Sequence, residues 1–307
     1  MILVTGGAGF IGSHIVRALL AAGESVRVLD DLSTGRADNL AGLSVDFVRG
    51  DIRDAATVAR AVAGVRAVCH HAAMISVPRS VEDPLGSHRV NVEGTLTVLE
   101  AARQAGVKRF VLASSAAIYG DEPSLPKSEQ SPQRPQSPYA IHKLIGEQYL
   151  RLYHDLYGLD TLSLRYFNVY GPRQDPASPY AAVIPLFIAA LRDGRRPTIF
   201  GDGRQTRDFI YVGDVARANV AALQAPAPGG RVINVAGGRR IDLLELLATL
   251  GRIFGVDPDP LFAPERPGDV RHSVAAVEAA AQVLAFRPAV ELPEGLAATV
   301  AWSRGGS

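Results

Sequence analysis

The chain has 307 residues, which is long enough for two domains or for one large domain with an appendage. Its 32 basic and 31 acidic residues leave a formal net charge of +1, so the overall charge gives no reason to expect a nucleic-acid partner. A single cysteine, Cys69, cannot form an internal disulfide bond. The apolar segment 181–191 is too short to span a bilayer. Since Met1 runs directly into the first predicted strand, we expect a soluble cytoplasmic protein with no membrane partner.

Short apolar segments alternate with helix-like segments along the first half of the chain. Residues 2–4 predict a strand that ends at a glycine-rich loop, and residues 11–22 then predict a helix. Residues 26–29 predict a second strand, which ends at Asp30. Because apolar strands that alternate with helices form parallel sheets, the pattern predicts an α/β fold with a doubly wound parallel sheet. Further predicted strands lie at residues 45–48, 67–70, 110–113 and 161–164.

The alternation of predicted strands and helices is interrupted in the second half by several prolines and by a Gly-Asp-Gly turn at residues 201–203. We therefore predict a cofactor-binding domain at residues 1–165 and a smaller α/β substrate-binding lobe, mainly at residues 166–307. Strands at about residues 206–236 are expected to return to the main sheet. The segment 121–138 is rich in Pro, Ser and Gln, which predicts a surface loop.

Gly6, Gly9 and Gly12 have the spacing of a dinucleotide-binding loop. Without side chains, such a loop lets the backbone approach a pyrophosphate at the positive end of the following helix. Asp30 ends the next strand about 20 residues on, where a carboxylate can bind the adenosine ribose and repel a 2′-phosphate. The pattern therefore predicts NAD as the cofactor, and Arg36 nearby keeps NADP open as an alternative. Further candidate contacts around these loops are Phe10, Ile11, Asp31, Ser33, Thr34 and Gly35.

The ends of the later strands supply more candidate cofactor contacts. Asp51 can meet the adenine amine, although a solvated turn aspartate is the alternative. His70 and His71 are adjacent on a strand, so they point to opposite faces and are badly placed to chelate one metal ion. We expect no metal. Other candidate contacts on this edge of the sheet are Ile52, His71, Ala72, Ala73, Asn91, Ser114 and Tyr166.

Tyr139 and Lys143 lie four residues apart in a predicted helix for which Ser137 is a credible N-cap. A tyrosine hydroxyl titrates near ~10, and both a neighbouring ammonium and an oxidised nicotinamide would favour the phenolate. Ser115 ends a strand on the same edge of the sheet, where it would share a hydrogen bond with a substrate hydroxyl. Tyr139 and Lys143 are also candidate contacts to the cofactor. With the glycine loop, these residues predict a base that deprotonates an alcohol while a dinucleotide accepts hydride.

With these motifs in place, the chain resembles the NAD-dependent sugar epimerase/dehydratase family of extended short-chain dehydrogenases/reductases, which share a Rossmann-type sheet. The resemblance covers nearly the whole chain, and it is closest to UDP-glucose and UDP-N-acetylglucosamine 4-epimerases. It implies reversible oxidation at C4 of a UDP-hexose, with Tyr139 as the base and NAD bound tightly. The expected substrates are UDP-glucose, UDP-galactose and their N-acetyl forms. Segments that look like family signatures lie at residues 76–80, 165–168, 201–203, 207–209 and 266–271.

The resemblance also implies substrate contacts in the second half. Asn168 would bind the diphosphate region, and Arg207 and Arg266 would clamp the diphosphate, for which a planar guanidinium is well suited. Asp269 would meet the uridine ribose, and the small Ser273 would leave space for an N-acetyl group. The remaining candidate substrate contacts are Ser76, Ser115, Ala182 and Val183.

Other members of the family remain alternatives. In chains that resemble the dehydratases of this family, Asp-Glu directly follows the catalytic serine. This chain has Ala116 and Ala117 at those two positions, and neither alanine can transfer a proton. That difference favours epimerisation, while Glu122 and Glu129 on the following loop keep a dehydratase open. A UDP-glucuronate 4-epimerase is a further alternative. A catalytically silent dinucleotide sensor is another, which would have no need for the complete triad.

The predicted helix at residues 139–157 carries more apolar residues than one packed face requires. The family resemblance implies that such helices pair into a four-helix bundle across a homodimer. Simple burial against the sheet and the second lobe is the alternative. The apolar residues are Ile141, Leu144, Ile145, Tyr149, Leu152, Tyr153 and Leu156.

Overall fold

The structure is a computed structural model that describes residues 1–175, 182–265 and 270–305. Its strands are β1 (Ile2–Thr5), β2 (Val26–Asp30), β3 (Asp46–Arg49), β4 (Ala67–His70), β5 (Arg109–Ser115), β6 (Asp160–Tyr166), β7 (Asn168–Tyr170), β8 (Thr198–Phe200), β9 (Thr206–Arg207), β10 (Phe209–Tyr211), β11 (Arg231–Val235), β12 (Ile241–Asp242) and β13 (Leu261–Ala263). The helices are α1 (Phe10–Ala21), α2 (Ala55–Val62), α3 (Val77–Glu82), α4 (Pro84–His88), α5 (Thr95–Gln104), α6 (Pro138–Tyr157), α7 (Val183–Arg192), α8 (Val212–Gln224), α9 (Leu243–Phe254), α10 (Glu278–Leu284) and α11 (Leu292–Ser303).

Seven strands form one parallel sheet in the order β11-β6-β5-β4-β1-β2-β3. Helices cover both faces, as alternate residues of β1 illustrate. Leu3 packs into a buried cluster with Val58 of α2 and Leu150 of α6, whereas Val4 packs with Ile15 of α1 in the cluster on the other face. The doubly wound α/β fold that the sequence predicts is therefore confirmed.

A smaller lobe holds three two-stranded sheets, which pair β7 with β10, β8 with β13 and β9 with β12. Helices α7, α9 and α11 build its core around Ile184, Leu246 and Leu296. Of the strands expected to return to the main sheet, β11 lies beside β6, while β9 and β10 belong to the small sheets. The division into two domains at residue 165 stays a prediction. Within the described residues, no helix has both the length and the apolar character of a membrane span.

Helix α6 begins and ends where the sequence predicts. The hydroxyl of Ser137 accepts a hydrogen bond from the N–H of Ala140 (3.2 Å), and Pro138 occupies the first turn. Gly158 ends the helix with a φ of 67°, a left-handed conformation that glycine adopts without steric cost. These two ends place Tyr139 and Lys143 at the start of the helix, close to the carboxyl edge of the sheet.

The predicted surface loop at residues 121–138 is tied to the segment that follows residue 273. The N–H of Lys127 donates to the carbonyl of Val274, and the N–H of Ala276 donates to the carbonyl of Lys127, both at 2.8 Å. The Lys127 ammonium also pairs with Glu122 at 2.5 Å, and both side chains are buried. Hydrogen bonds from Lys127 and Ser124 lower the pKa of Glu122 to about 2, so this carboxylate stays ionised.

A buried ion pair joins α6 to β6 beneath the carboxyl edge. The guanidinium of Arg165 donates to both carboxylate oxygens of Glu147, at 2.8 and 2.7 Å, and also lies 4.8 Å from the ring centre of Tyr119. The two side chains are only 1% and 2% exposed. Burial alone would lower the pKa of Arg165, but the hydrogen bonds and charge of Glu147 raise it above its ordinary value. The guanidinium of Arg165 therefore stays charged in the core.

Replacing Arg165 by methionine should destabilise the fold, because Glu147 would be left buried without its partner. We expect the free energy of unfolding to fall by about 3–5 kcal/mol, measured by urea denaturation. The matched control is the double variant Arg165→Met with Glu147→Leu, which removes both charges and should recover most of the loss. A single variant as stable as the wild type, or a double variant less stable than the single one, would contradict this account.

Candidate active site

The glycine loop lies between β1 and α1 at the carboxyl edge of the sheet, with Gly9 as the N-cap of α1. Gly6 has a φ of 67°, and a Cβ there would lie 2.7 Å from the backbone nitrogen of Ala72. A Cβ on Gly12 would lie 2.1 Å from the carbonyl oxygen of Gly6. The loop can therefore close this tightly only with glycine at these positions, and it leaves the start of α1 open to an anionic ligand. Such a cradle fits the pyrophosphate of a dinucleotide.

Asp30 supports the glycine loop from the end of β2. One carboxylate oxygen accepts from the N–H of Ala8 and the other from the N–H of Leu32, each at 2.9 Å. Burial raises the pKa of Asp30, and the two backbone hydrogen bonds lower it. Each oxygen keeps a further acceptor position. A contact between Asp30 and an adenosine ribose, which remains a prediction, is compatible with this geometry.

The residues that follow β2 and β3 have local partners of their own. One oxygen of Asp31 accepts from the N–H (2.9 Å) and the hydroxyl (2.6 Å) of Ser33. The carboxylate of Asp51 binds the guanidinium of Arg53 on both oxygens, and these hydrogen bonds lower the pKa of Asp51. Ile52 is buried. An adenine contact by Asp51, still a prediction, would therefore be made by a carboxylate that also holds an arginine.

His70 and His71 point in opposite directions, as two successive strand residues should. The hydroxyl of Thr5 accepts from the N–H groups of His71 (3.1 Å) and Ala72 (3.2 Å), so its own hydrogen is directed to Nδ1 of His70 (2.8 Å). Nε2 of His70 then faces the hydroxyl of Thr95 at 3.0 Å. Burial lowers the pKa of His70 to about 3, so the ring is neutral. This network fixes the backbone against which Gly6 packs.

The ring of His71 stacks on Tyr166, with Nε2 at 2.9 Å from the phenol oxygen. Asn219 donates to the same oxygen (2.8 Å). Burial also lowers the pKa of His71 to about 3. No set of three potential metal ligands occurs in the described part of the chain. The cofactor contacts expected of His71 and Tyr166 stay predictions.

Three other expected contact residues use their side chains to build local structure. The hydroxyl of Ser76 caps α3. The side chain of Asn91 exchanges two hydrogen bonds with the backbone of Met74, at 2.8 and 2.9 Å. The hydroxyl of Ser114 points away from its neighbour Ser115 and donates to Glu147 (2.5 Å). A ligand contact by Ser114, which is buried, would therefore be made by its backbone.

Ser115, Tyr139 and Lys143 converge at the carboxyl end of β5. Lys143 is buried and donates from Nζ to the carbonyl of Ala113 at 2.9 Å. The same nitrogen lies 5.8 Å from the centre of the Tyr139 ring. Burial raises the pKa of Tyr139, while a hydrogen bond with Ser115 lowers it. The serine hydroxyl itself accepts from the N–H of Ala117 (3.1 Å). The triad predicted from the sequence is thus brought together at one point.

The electrostatics of Lys143 bear directly on the tyrosine. Burial lowers the pKa of Lys143 to about 8, and the nearby charge of Glu147 raises it. The ammonium is therefore the major form at neutral pH. A positive charge at this position lowers the free energy of a Tyr139 phenolate relative to the phenol, which is the condition for the tyrosine to act as a base.

Ser80 contacts the triad segment in a way that sequence analysis did not identify. Its buried hydroxyl accepts a hydrogen bond from the N–H of Tyr139 (3.1 Å) and donates to the carbonyl of Val77 (2.6 Å). It therefore anchors the first turn of α6 to α3. The partners are 59 residues apart in the chain, so no local pattern points to the contact, although Ser80 lies in the signature segment 76–80.

A cavity of about 360 Å³ lies in the small lobe, among residues of β7, α7, β8, β9 and β10. Asn168 in its wall is two residues after Tyr166, which pairs with Ser115 in the sheet. Its wall includes four of the expected substrate contacts, namely Asn168, Ala182, Val183 and Arg207. Aromatic and amide side chains that the sequence analysis missed complete it. These are Tyr170, Gln174, Phe187, Phe200, Gln205 and Phe209.

The other expected substrate contacts are placed differently. The N–H of Ser273 donates to the carbonyl of Thr206 (3.1 Å), so Ser273 is adjacent to β9 but is not part of the cavity wall. Arg266 and Asp269 lie outside the described residues. The roles of all three as substrate contacts stay predictions.

Comparison with known proteins agrees with this geometry. Residues 2–236 match the NAD dependent epimerase/dehydratase family, and the chain belongs to that family. It is 46% identical to a UDP-glucose 4-epimerase of Mycolicibacterium smegmatis, over 98% of each chain. It is also 40% identical to a dTDP-glucose 4,6-dehydratase of Streptomyces griseus, over 98% of this chain and 93% of the relative.

Among solved structures, a UDP-glucose 4-epimerase of Thermus thermophilus in complex with NAD is 42% identical. It superposes with a TM-score of 0.90, over 100% of this chain and 99% of the other. The family resemblance expected from the sequence is therefore confirmed. Because epimerases and dehydratases both occur among the relatives, the reaction must be decided from the residues of the site.

Proposed function

We propose that this protein is a UDP-hexose 4-epimerase that interconverts UDP-glucose and UDP-galactose with tightly bound NAD. The convergence of Ser115, Tyr139 and Lys143 beside the glycine loop is the observation that carries the proposal. N-acetylated UDP-hexoses are further candidate substrates, because the family resemblance puts Ser273 beside the sugar and its side chain is small. Such a reaction would belong to galactose metabolism.

The residues of the triad have separate roles in the proposed reaction. Tyr139 accepts the proton of the C4 hydroxyl, and Ser115 shares a hydrogen bond with that hydroxyl. The charge of Lys143 favours the phenolate form of Tyr139. Lys143 also lies close enough to the carboxyl edge of the sheet to bind a ribose hydroxyl of the cofactor. NAD, when bound in the glycine cradle, would accept hydride from C4 and return it to the other face of the sugar. Tyr139 then returns its proton to the C4 oxygen.

Residues Ala116 and Ala117 support epimerisation rather than dehydration. Elimination of water requires an additional acid and base near the sugar, and neither alanine can transfer a proton. The two loop glutamates have other partners: Glu122 pairs with Lys127, and Glu129 accepts from the backbone N–H of Asn234 (2.8 Å). Because both glutamates are engaged in these contacts, the site favours a reaction that is limited to oxidation and reduction at one carbon.

The cavity in the small lobe suits the nucleotide half of the substrate. Arg207 offers a guanidinium for a diphosphate, and Asn168 offers an amide in the same cavity wall. Phe200 and Phe209 provide flat apolar surface that fits a nucleobase. We propose, from the family resemblance, that Arg266 and Asp269 add contacts to the diphosphate and the uridine ribose. The nucleotide would then be held firmly while the sugar turns over at the triad.

We also propose that the protein is a cytoplasmic homodimer that pairs α5 and α6 of each subunit in a four-helix bundle. Ile141, Leu152 and Leu156 of α6 are 45%, 45% and 62% exposed and share one helical face. An apolar stripe of this kind on the surface of a monomer is typical of an interface. The single cysteine, Cys69, is buried and reduced, which is typical of a reducing compartment.

The variant Tyr139→Phe tests the proposed reaction. We expect interconversion of UDP-galactose and UDP-glucose to fall by about 10³-fold or more, because the general base is removed while the ring remains. NAD content of the purified protein, measured by absorbance after denaturation, should be unchanged. The matched control is Tyr157→Phe at the exposed end of the same helix, which should leave turnover intact. Near-normal turnover in Tyr139→Phe would refute the assignment of the base.

The dimer proposal predicts that charge on the exposed face of α6 separates the subunits. The double variant Leu152→Asp with Leu156→Asp should sediment as a monomer at micromolar concentration, where the wild type sediments as a dimer. Phe262→Asp is the matched control, because Phe262 is 61% exposed but lies on β13, far along the chain from α6. A monomeric wild type, or a double variant that remains dimeric, would rule out this interface.

A further inference from the structure

Asp208 is a fully buried carboxylate at the junction of the main sheet and the small lobe. It lies between β9 and β10, one residue after Arg207. One carboxylate oxygen accepts from the N–H of Gly237 at 2.7 Å, and the other accepts from the N–H groups of Gly238 (3.1 Å) and Ala275 (3.0 Å). The side chain therefore holds two distant segments of backbone by charge-assisted hydrogen bonds.

The backbone of Asp208 is bound to the wall of the cavity. Its carbonyl oxygen accepts from the N–H of Asn168 (3.0 Å) and from the side-chain Nδ2 of the same residue (3.1 Å). Asn168 is thereby fixed in both backbone and side-chain orientation. Arg207, the residue before Asp208, lines the cavity as well.

Asp208 joins the main sheet to a segment that carries Ser273, one of the expected substrate contacts. Gly237 and Gly238 follow β11, the edge strand of the main sheet, which pairs with β6. Ala275 follows Ser273, which is bonded to β9 through Thr206. One side chain thus sets the relative positions of β11, the segment after residue 273 and the peptide that bears Arg207.

Close packing shows that this junction is built around the carboxylate. A Cβ on Gly237 would lie 2.5 Å from the carbonyl oxygen of Phe209 and 3.1 Å from a carboxylate oxygen of Asp208. Burial raises the pKa of Asp208 to about 6, while the hydrogen bonds from Ala275, Gly237 and Gly238 lower it. No ion pair reaches Asp208 from the described residues, so backbone N–H groups provide its stabilisation.

We propose that Asp208 is a positioning residue for the nucleotide diphosphate, acting through Asn168 and Arg207. This inference rests on the proposed function, since it assigns to the same cavity the diphosphate of a UDP-sugar. The carboxylate itself is buried and touches neither the substrate nor the reacting atoms. Its role is to hold the two diphosphate-binding side chains in position relative to the triad on β5 and α6.

The test compares Asp208→Asn with Asp214→Asn. An asparagine at position 208 would turn an NH₂ group toward at least one backbone N–H, so one of the joined segments must move away. Asp214 is an equally buried carboxylate whose Oδ2 accepts from the N–H groups of Ala289 and Val290, each at 3.0 Å, while its Oδ1 pairs with Arg217 (2.6 Å). It is not part of the cavity wall. It therefore controls for the loss of a buried, backbone-bound carboxylate.

We expect both variants to melt at a lower temperature than the wild type. In Asp208→Asn alone, the dissociation constant for UDP, measured by calorimetry, should rise by about tenfold or more. KM for UDP-galactose should rise with it, whereas kcat at saturation and NAD content should change by less than about threefold. Equal loss of UDP affinity in both variants, or none in either, would overturn the positioning role. A wild type that binds no UDP would instead overturn the proposed function.

If Asp208→Asn does not fold, Gly237→Ala displaces the same junction while the carboxylate remains. The added methyl group should push Phe209 or Asp208 away and weaken UDP binding in the same selective manner. Hydrogen exchange at the N–H groups of Gly238 and Ala275 reports the displacement without substrate. Faster exchange together with weaker UDP binding supports the inference. Faster exchange with UDP affinity equal to that of the wild type overturns it.

Discussion

The hydrogen bond from Lys143 to the carbonyl of Ala113 is the contact on which the site depends. It fastens the start of α6 to the carboxyl end of β5, so that Tyr139 comes within hydrogen-bond reach of Ser115. Because Lys143 is buried, its ammonium needs a hydrogen-bond acceptor inside the protein, and the backbone carbonyl provides one. The same constraint gives the tyrosine a positive neighbour. The position of the tyrosine and the charge beside it therefore follow from a single interaction.

Beneath this contact, polar groups inside the protein hold the two strands that carry the site. Glu147, one helical turn after Lys143, binds Arg165 of β6 and Ser114 of β5. The alternation of the strand then places Ser114 toward this buried pair and Ser115 toward the cleft. A charged pair in the core is costly to desolvate. Here the pair links α6, β5 and β6 beneath the triad, and so it holds in place the elements that carry the triad.

Features encoded by neighbouring residues were predictable from the sequence. The glycine loop, the capped start and end of α6 and the strands of the main sheet all follow from local spacing, turn chemistry and burial. The contact of Ser80 with Tyr139 and the Glu147–Arg165 pair were not predictable, because each joins residues that are distant in sequence. The aromatic wall at Phe200 and Phe209 was missed for a related reason. These short strands show no apolar alternation that distinguishes a cavity lining from a core.

The structure divides binding and chemistry between its two halves. The sheet edge holds the cofactor cradle and the triad, and the small lobe holds a cavity that suits a nucleotide. Epimerisation needs this division, because the sugar must turn while the nucleotide stays in place. The most direct test of the account follows UDP-galactose carrying deuterium at C4 through the reaction of the purified protein in ordinary water. The account predicts UDP-glucose that retains the deuterium at C4. Product in which the label has been lost to solvent would contradict it, as would the absence of any UDP-glucose.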